Sequence, residues 1–327
     1  MTKPNITIQH VTASERPIEA VIILPTFRRP DHLVRTLDSL KAQETARSFA
    51  IIVMENDDES LAGAKAARAW FEENPAQAGI ALIAHDRGNC SAYNAGIQTA
   101  LAHYADFSHL LIIDDDELAT KHWLDRLIEA SETYRADLVG APQTPVFEDV
   151  AASRRWARHP VFTPHYKSSG PVPILFSSGN VAIRRRVLQA MGPEWLDPAF
   201  NFIGGGDADF YTRAKDRGFT FAWCENAPVM ETMPARRTEA SWINARSVRN
   251  GAISSIIERR HGTGAQGGLK RHVRNIALLS ASPLRSILLA VRTRSPAIGL
   301  YHVQVAVGRF MAEFGRVAEQ YRQPEKN

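Results

Sequence analysis

The sequence predicts an α/β protein, a mostly parallel mixed sheet flanked by helices, with amphipathic helices after it. Three observations carry this expectation. Short apolar runs alternate with stretches whose apolar residues recur every three or four positions, the pattern of strands alternating with helices. The runs are continuous in Val, Ile and Leu, as in strands covered on both faces. They also end in polar or acidic residues, most abruptly at 110–117, LLIIDDDE, where a buried strand would emerge into the cleft that open α/β sheets use for ligands.

Residues 20–24, AVIIL, make the first strand, closed by Pro25 and Thr26, and Pro30-Asp31 opens a helix with Leu33, Leu37 and Leu40 at helical spacing. A strand at 49–54 ends in the acidic run 55–59 and leads to an Ala-rich helix at 61–73. Residues 80–84 give a third strand, 91–104 a helix after the Gly88 turn, and 109–113 the fourth strand. A helix at 121–135 and a strand at 137–141 close this half. From 142 to 173 the chain is rich in Pro, Arg and aromatic residues without a period, a long connection of the kind that serves as a functional loop. Strand character returns at 174–177 and 181–183, Gly204-Gly205-Gly206 precedes a helix from Asp207 to Arg217, 219–224 reads as a strand and 238–260 as a long helix. After a Gly-rich hinge at 262–268, Leu284, Ile287, Leu288 and Val291, then Leu300, Val303, Val307, Phe310 and Phe314, mark amphipathic helices with Arg on the other face. No apolar run reaches the roughly 20 residues a membrane span needs. Residues 1–18 read as a polar N-terminal extension, with neither signal peptide nor anchor expected there.

At 327 residues, 44% hydrophobic and 23% charged, the chain can bury a large core and fits no disordered class. Two cysteines, Cys90 and Cys224, are too few for a disulfide framework; they read as buried hydrophobes in a reducing, cytoplasmic setting. The net charge of +4 is uneven, because residues 259–327 hold twelve Lys and Arg against three Asp and Glu, which gives the tail +9 and the body −5. With no helix-turn-helix, zinc-finger or RNA-binding signature beside it, the tail points to an anionic membrane surface rather than nucleic acid. Packing on its own domain or on a second subunit, as in a homo-oligomer, are the alternatives.

Four adjacent carboxylates repel unless a cation sits among them, and Mg²⁺ and Mn²⁺ prefer hard oxygen ligands. Asp114 and Asp116 are two apart and would face one side of a continuing strand. A solvated acidic turn is the plainer reading. Asp207 and Asp209 likewise have an ordinary reading, as acids favoured by the positive end of a helix dipole.

ILPTFRRPDHLVRTLDSL at 23–40 resembles the opening of the family 2 glycosyltransferases, and further matches follow in the family's order. IIVMENDDES at 51–60 is similar to the second strand, RGNCSAYNAGI at 87–97 to the Gly-x5-Asn-x-Gly segment, and LLIIDDDE supplies the Asp-x-Asp motif. SGNVAIRRRVL at 178–188 and GGGDADFYTRAKDRGF at 204–219 resemble the acceptor-side strand and the Glu-Asp-x-Asp-Leu segment. The resemblance implies a GT-A fold over 19–260, with a Rossmann-like nucleotide-sugar half at 19–141, an acceptor half at 142–260 and a basic amphipathic tail at 261–327. It implies an inverting, divalent-metal-dependent transferase that moves a sugar from a nucleoside-diphospho-sugar, UDP-sugar first, to a glycan or lipid-linked acceptor, as in bacterial polysaccharide-assembling members. Pro25, Thr26, Phe27, Arg28, Glu55, Asn56 and Asn94 would then contact the donor, and Asp114 and Asp115 would reach the ribose. Asp114, Asp116 and Glu231 would hold Mg²⁺ or Mn²⁺, and Asp207 would be the general base. Such an enzyme would work in the cytoplasm, peripheral to the inner face of the membrane.

Three positions depart from the family pattern: Tyr93 replaces an Arg, Gly206 replaces the Glu of Glu-Asp-x-Asp, and Glu231 stands where many members carry a His ligand. The loss at Gly206 encourages an alternative, a catalytically degenerate subunit that binds a nucleotide-sugar or glycan. A sugar nucleotidyltransferase would share much of the fold, but it wants a Gly-rich loop after the first strand, where this chain has PTFR.

Overall fold

The computed structural model describes residues 4–193, 195–262, 264–316, 319 and 322. The chain divides into two compact units, one of Met1–Thr144, His165–Asn201 and Gly206–Glu231, the other of Pro145–Pro164, Phe202–Gly205 and Thr232–Asn327. This division differs from the expected boundaries at 141 and 260, since residues 145–164 of the long connection and the C-terminal helices fall together. Residues 317, 318, 320, 321 and 323–327 of the expected tail lie outside the described residues.

The first unit is a sheet with helices on both faces. In chain order it contains β1 (Ile6–Thr12), β2 (Ala20–Thr26), α1 (Pro30–Lys41), β3 (Phe49–Glu55), α2 (Ala62–Glu73), β4 (Gly79–Ala84), α3 (Asn89–His103) and β5 (His109–Ile113). There follow β6 (Glu117–Ala119), α4 (Trp123–Thr133), β7 (Leu138–Gly140), β8 (Gln143–Phe147), which runs into the second unit with α5 (Val150–Trp156), then β9 (Gly170–Val172), β10 (Asn180–Arg184), α6 (Arg185–Met191), α7 (Gly206–Asp216), β11 (Phe221–Trp223) and β12 (Val229–Met233). The main sheet runs β1-β4-β3-β2-β5-β10-β7-β11-β9, and β6, β12 and β8 form a small second sheet. β4, β3, β2 and β5 are mutually parallel, while β1, β10 and β9 are antiparallel to their neighbours.

The unbroken apolar runs follow from this layering. Ala20, Ile22 and Leu24 of β2 pack with Leu33, Leu37 and Leu40 of α1 and with Trp70 and Phe71 of α2. The intervening Ile23 faces the other way, where Gly96 of α3 approaches so closely that a Cβ would come within 2.7 Å of Met54 Sδ. Both faces are therefore covered, and no position in the middle of β2 is free to be polar.

Four expectations are corrected. The N-terminal extension contains β1, an edge strand antiparallel to β4 whose exposed side chains hid it. The aperiodic stretch at 142–173 holds β8, α5 and β9, elements too short to show a period. Residues 174–177 are not a strand; side chains fix them instead, with Tyr166 Oη donating to the Ile174 carbonyl at 2.7 Å and Leu175 packed under Gly140. The apolar residues of the tail up to Val291, which Lys and Arg break up in the sequence, belong to one continuous helix that is long and apolar enough over Gly267–Thr293 to cross a membrane by length and composition, its 18-residue window having a mean hydropathy of 1.3.

The second unit contains α8 (Ala240–His261), α9 (Gly264–Thr293), α10 (Pro296–Gly299) and α11 (Tyr301–Glu313). The expected hinge at 262–268 is thus largely the first turn of α9. α8 and α11 cross at two glycines: a Cβ on Gly251 would lie 2.0 Å from the Val305 carbonyl oxygen, and one on Gly308 would lie 1.8 Å from that of Val248. Buried Arg309 then donates to Asn275 of α9 at 2.8 Å and pairs with Glu258 of α8, tying three helices together. Gly308→Val forces the two backbones apart, and we expect it to lower stability by about 1–3 kcal/mol or more, read as a fall in the thermal midpoint; an unchanged midpoint would contradict this packing.

Candidate active site

The C-terminal ends of β2, β3 and β5 lie side by side, because the register pairs Thr26 with Glu55 and Ile23 with Ile112. The chain runs from β2 to β3 and β4 on one side and then returns to β5 on the other, so the crevice between β2 and β5 is a topological switch point. The acidic run 114–117 opens there.

Asp115 and Asp116 are buried and held by residues brought in from the β2 end. Thr26 Oγ1 donates to Asp115 Oδ2 at 2.9 Å, and Arg29 Nη1 lies 3.2 Å from Asp115 Oδ1 and donates to Asp116 Oδ2 at 2.7 Å. Burial works against the Arg29 charge, but Asp115 and Asp116 outweigh it and keep the guanidinium firmly protonated. Burial raises Asp115 above the ordinary carboxylate range even against the pull of Arg29. Thr36 Oγ1 donates to the carbonyls of Asp115 and Glu117 at 2.9 and 2.8 Å and fixes the turn.

Asp114 is half-buried and accepts from the buried Tyr93 hydroxyl. Glu117 accepts from the Asp114 amide at 2.9 Å and from Gln143 Nε2 at 2.5 Å. Across the β6–β12 pairing Glu117 stands opposite Glu231. Burial first, then Asp114, Glu231 and Asp116, push Glu117 well above its usual pKa, so the four acids feel one another.

The acceptor-side acids separate into two kinds. Asp209 is buried and bound to Arg213 at 2.7 Å, one helical turn on, whereas Asp207 is half-buried and its Oδ1 accepts from the Ala208 amide at 2.9 Å. Tyr211, one turn after Asp207, is fully enclosed and donates to the Ser177 carbonyl at 2.9 Å. Burial, then Asp207, then Asp114 raise its pKa, so the same tyrosine sits in the field of both acids. The missing Glu at position 206 also has a reason: a Cβ there would come 2.4 Å from Cys90 Sγ.

Some expected donor contacts have other work. Glu55 is fully buried, with Oε1 accepting from the Asp57 amide at 3.0 Å and Oε2 from the Gly63 and Ala64 amides at 2.6 and 3.2 Å, so it caps α2 rather than facing a ligand. Asn56 bridges the carbonyls of Ala84 and Asp86 and accepts from the Gly88 amide, and Asn94 exchanges two hydrogen bonds with the Leu196 backbone. At the β2 end Pro25 is half-buried, and the Phe27 ring lies under the guanidinium groups of Arg28 and Arg87, at 5.1 and 5.3 Å. Arg28 adopts a positive φ of 55°, which sends it to Asp57 at 3.0 Å while Arg29 turns to the acids. Sequence reasoning missed Arg29, Gln143, Tyr211 and the role of Glu117; the Arg-Arg pair before Pro30 was the available signal for the first.

The carboxylates Asp114, Asp116 and Glu231 fit a hard divalent cation in the chemistry of their donors and in the mutual repulsion felt at Glu117. Among the described residues no three His, Cys, Asp or Glu side chains are grouped as a set of metal ligands, because Asp116 is turned to Arg29 and Asp114 to Tyr93.

Residues 21–192, more than half of the chain, match glycosyl transferase family 2. The chain belongs to this family. A relative, the succinoglycan biosynthesis protein ExoM of Rhizobium meliloti (strain 1021), is 29% identical over 264 residues, covering 78% of this chain and 79% of the relative. Among solved structures, the mannosyltransferase PcManGT from Pyrobaculum calidifontis, in complex with GDP-Man and Mn2+, superposes with a TM-score of 0.58 at 19% identity, over 90% of this chain and 88% of that one. S. aureus TarS 1–349 gives 0.53 at 12% identity, over 91% and 92%. These likenesses agree with the GT-A arrangement of the glycosyltransferase sheet.

In this family 2 transferase Asp57 anchors the loop after β2. Burial pushes its carboxyl up, but the Arg28 guanidinium and the Ser60 hydroxyl outweigh that and hold it at about 2. The folded value lies below the ordinary value of about 3.9, so the pairing stabilises the fold at neutral pH and is lost as pH falls from about 4 toward about 2. Asp57→Asn is expected to melt below wild type at neutral pH, with the gap narrowing through that acid window in thermal scans; a gap indifferent to pH would count against it.

Proposed function

We propose that the chain is an inverting, divalent-metal-dependent glycosyltransferase that moves a sugar from a nucleoside-diphospho-sugar, UDP-sugar as the first candidate, to a glycan or lipid-linked acceptor. The observation that carries this reading is the acidic run at the end of β5, opening at the topological switch point between β2 and β5, with Asp115 and Asp116 held by Thr26 and Arg29 and Glu117 facing Glu231. The part that ExoM takes in succinoglycan biosynthesis supports a glycan acceptor, and the GDP-Man and Mn2+ bound to PcManGT support a nucleotide-sugar with a divalent ion.

Asp114, Asp116 and Glu231 would hold Mg²⁺ or Mn²⁺, which when bound supplies charge neutralisation for the departing diphosphate. Thr26 and Arg29 fix Asp115 and Asp116 so that the carboxylates need not reorganise. Phe27, with Arg28 and Arg87 over its ring, would form the wall beside the donor's base. Asp207 is the candidate base: it is half-buried in the first turn of α7, and the Ala208 amide steadies the carboxylate that would take the acceptor hydroxyl's proton. Attack from its side, opposite the leaving diphosphate, inverts the anomeric carbon.

The test is a panel of nucleotide-sugars with Mn²⁺ or Mg²⁺, followed as nucleotide release and as thermal stabilisation by donor. Asp207→Asn should keep the donor-induced stabilisation and lose transfer by about 10²–10⁴-fold. Undiminished turnover removes Asp207 from the role. Gly206 favours a second reading, a sugar-nucleotide binder without turnover, and wild-type protein that is stabilised by donor yet releases no nucleotide with any acceptor would select it.

A further inference from the structure

We propose that α9 lies in the interface of an anionic bilayer, its exposed stripe against the acyl chains and its basic residues among the headgroups. Leu269, Val273, Ile276, Leu284, Ile287 and Val291 are all exposed, Val291 at 72%. They recur at steps of three, four and eight, which keeps them on one side of the helix for about 33 Å at 1.5 Å per residue. A stripe of that length is large for a surface that faces only water.

Charge identifies the occupant. α9 holds Lys270, Arg271, Arg274, Arg285 and Arg292 and no Asp or Glu. Lys270, Arg274, Arg285 and Arg292 are exposed, and at about 100° per residue they fall together along one flank, between the stripe and the enclosed side. An apolar stripe edged by cations suits acyl chains below phosphate headgroups.

The opposite side of α9 is polar and engaged within its own unit. Buried Asn275 donates to Glu313 at 3.0 Å and accepts from Arg309, Arg271 binds Glu313 at 2.9 Å, and Ser286 Oγ accepts from the Val303 amide at 3.3 Å. A helix crossing the bilayer would have to abandon these bonds. Lying in the plane keeps all of them.

The test uses purified full-length protein and vesicles of phosphatidylcholine with and without about three parts in ten phosphatidylglycerol, read by co-sedimentation. Binding is expected to the anionic vesicles, falling about tenfold on neutral vesicles or in about 0.5 M salt. Leu284→Gln/Leu288→Gln/Val291→Gln and, separately, Arg285→Glu/Arg292→Glu should each weaken it about tenfold with an unchanged thermal midpoint, since these side chains are exposed. Equal affinity for neutral and anionic vesicles, or none for either, overturns the proposal. So does a dimer in light scattering that the apolar triple variant converts to monomer, which would assign the stripe to a second copy.

Discussion

Crowded carboxyl groups at the buried end of β5 are the constraint around which the first unit is arranged. Three acids out of contact with water, Asp115, Asp116 and Glu117, would be costly without compensation, and neighbouring segments supply it. Arg29 brings a full positive charge, Thr26 and Tyr93 bring hydroxyls, and Gln143 brings an amide. The backbone has been shaped to let them in: Arg28 takes a positive φ so that consecutive arginines point to different acids, and Gly179 leaves space where a Cβ would sit 2.7 Å from Glu117 Oε1 and 3.0 Å from Asp114 Oδ2. Tyr93 belongs to the same system. Where the resemblance implies a cation, this chain places a neutral donor, the Tyr93 hydroxyl on Asp114.

The same crowding accounts for the other departure. α7 begins against α3 so closely that Gly206 meets Cys90 with no room for a side chain. A side chain at that position would have to push aside the Cys90 thiol at the start of α3. The chain has kept the following acid and given up the first. What remains is a pair that differs in burial, Asp209 enclosed and bound to Arg213 and Asp207 half-buried one turn before Tyr211.

Features set by neighbours in sequence were legible in the chain itself. The parallel core was visible because burial on both faces leaves unbroken apolar runs at 20–24, 49–54, 80–84 and 109–113, and the acidic end of the last marked the crevice. What escaped depended on partners that only the fold brings together. Glu55 reads as a ligand in sequence because its acidity is visible, while the α2 amides that occupy it eight and nine positions later are not. Arg29 met Asp116 across 87 residues, and β1 revealed itself only by pairing with β4. Short elements between 142 and 173 gave no period to read.

α9 carries the argument about charge and polarity furthest, because its two sides reverse the usual order of a water-soluble helix. Its enclosed side holds Asn275, Ser282 and Ser286, and its open side holds leucine, isoleucine and valine. Even the break in its ladder is repaired from the polar side: Pro283 has no amide to give the Leu279 carbonyl, and Ser282 Oγ donates to that carbonyl at 2.8 Å in its place. Maintaining a continuous helix through a proline, with its polar groups satisfied inward, keeps the apolar stripe on a single element. In water such a stripe costs free energy in proportion to its area. Against acyl chains the same stripe is stabilising, and the cations beside it then stand at the depth where lipid phosphates lie.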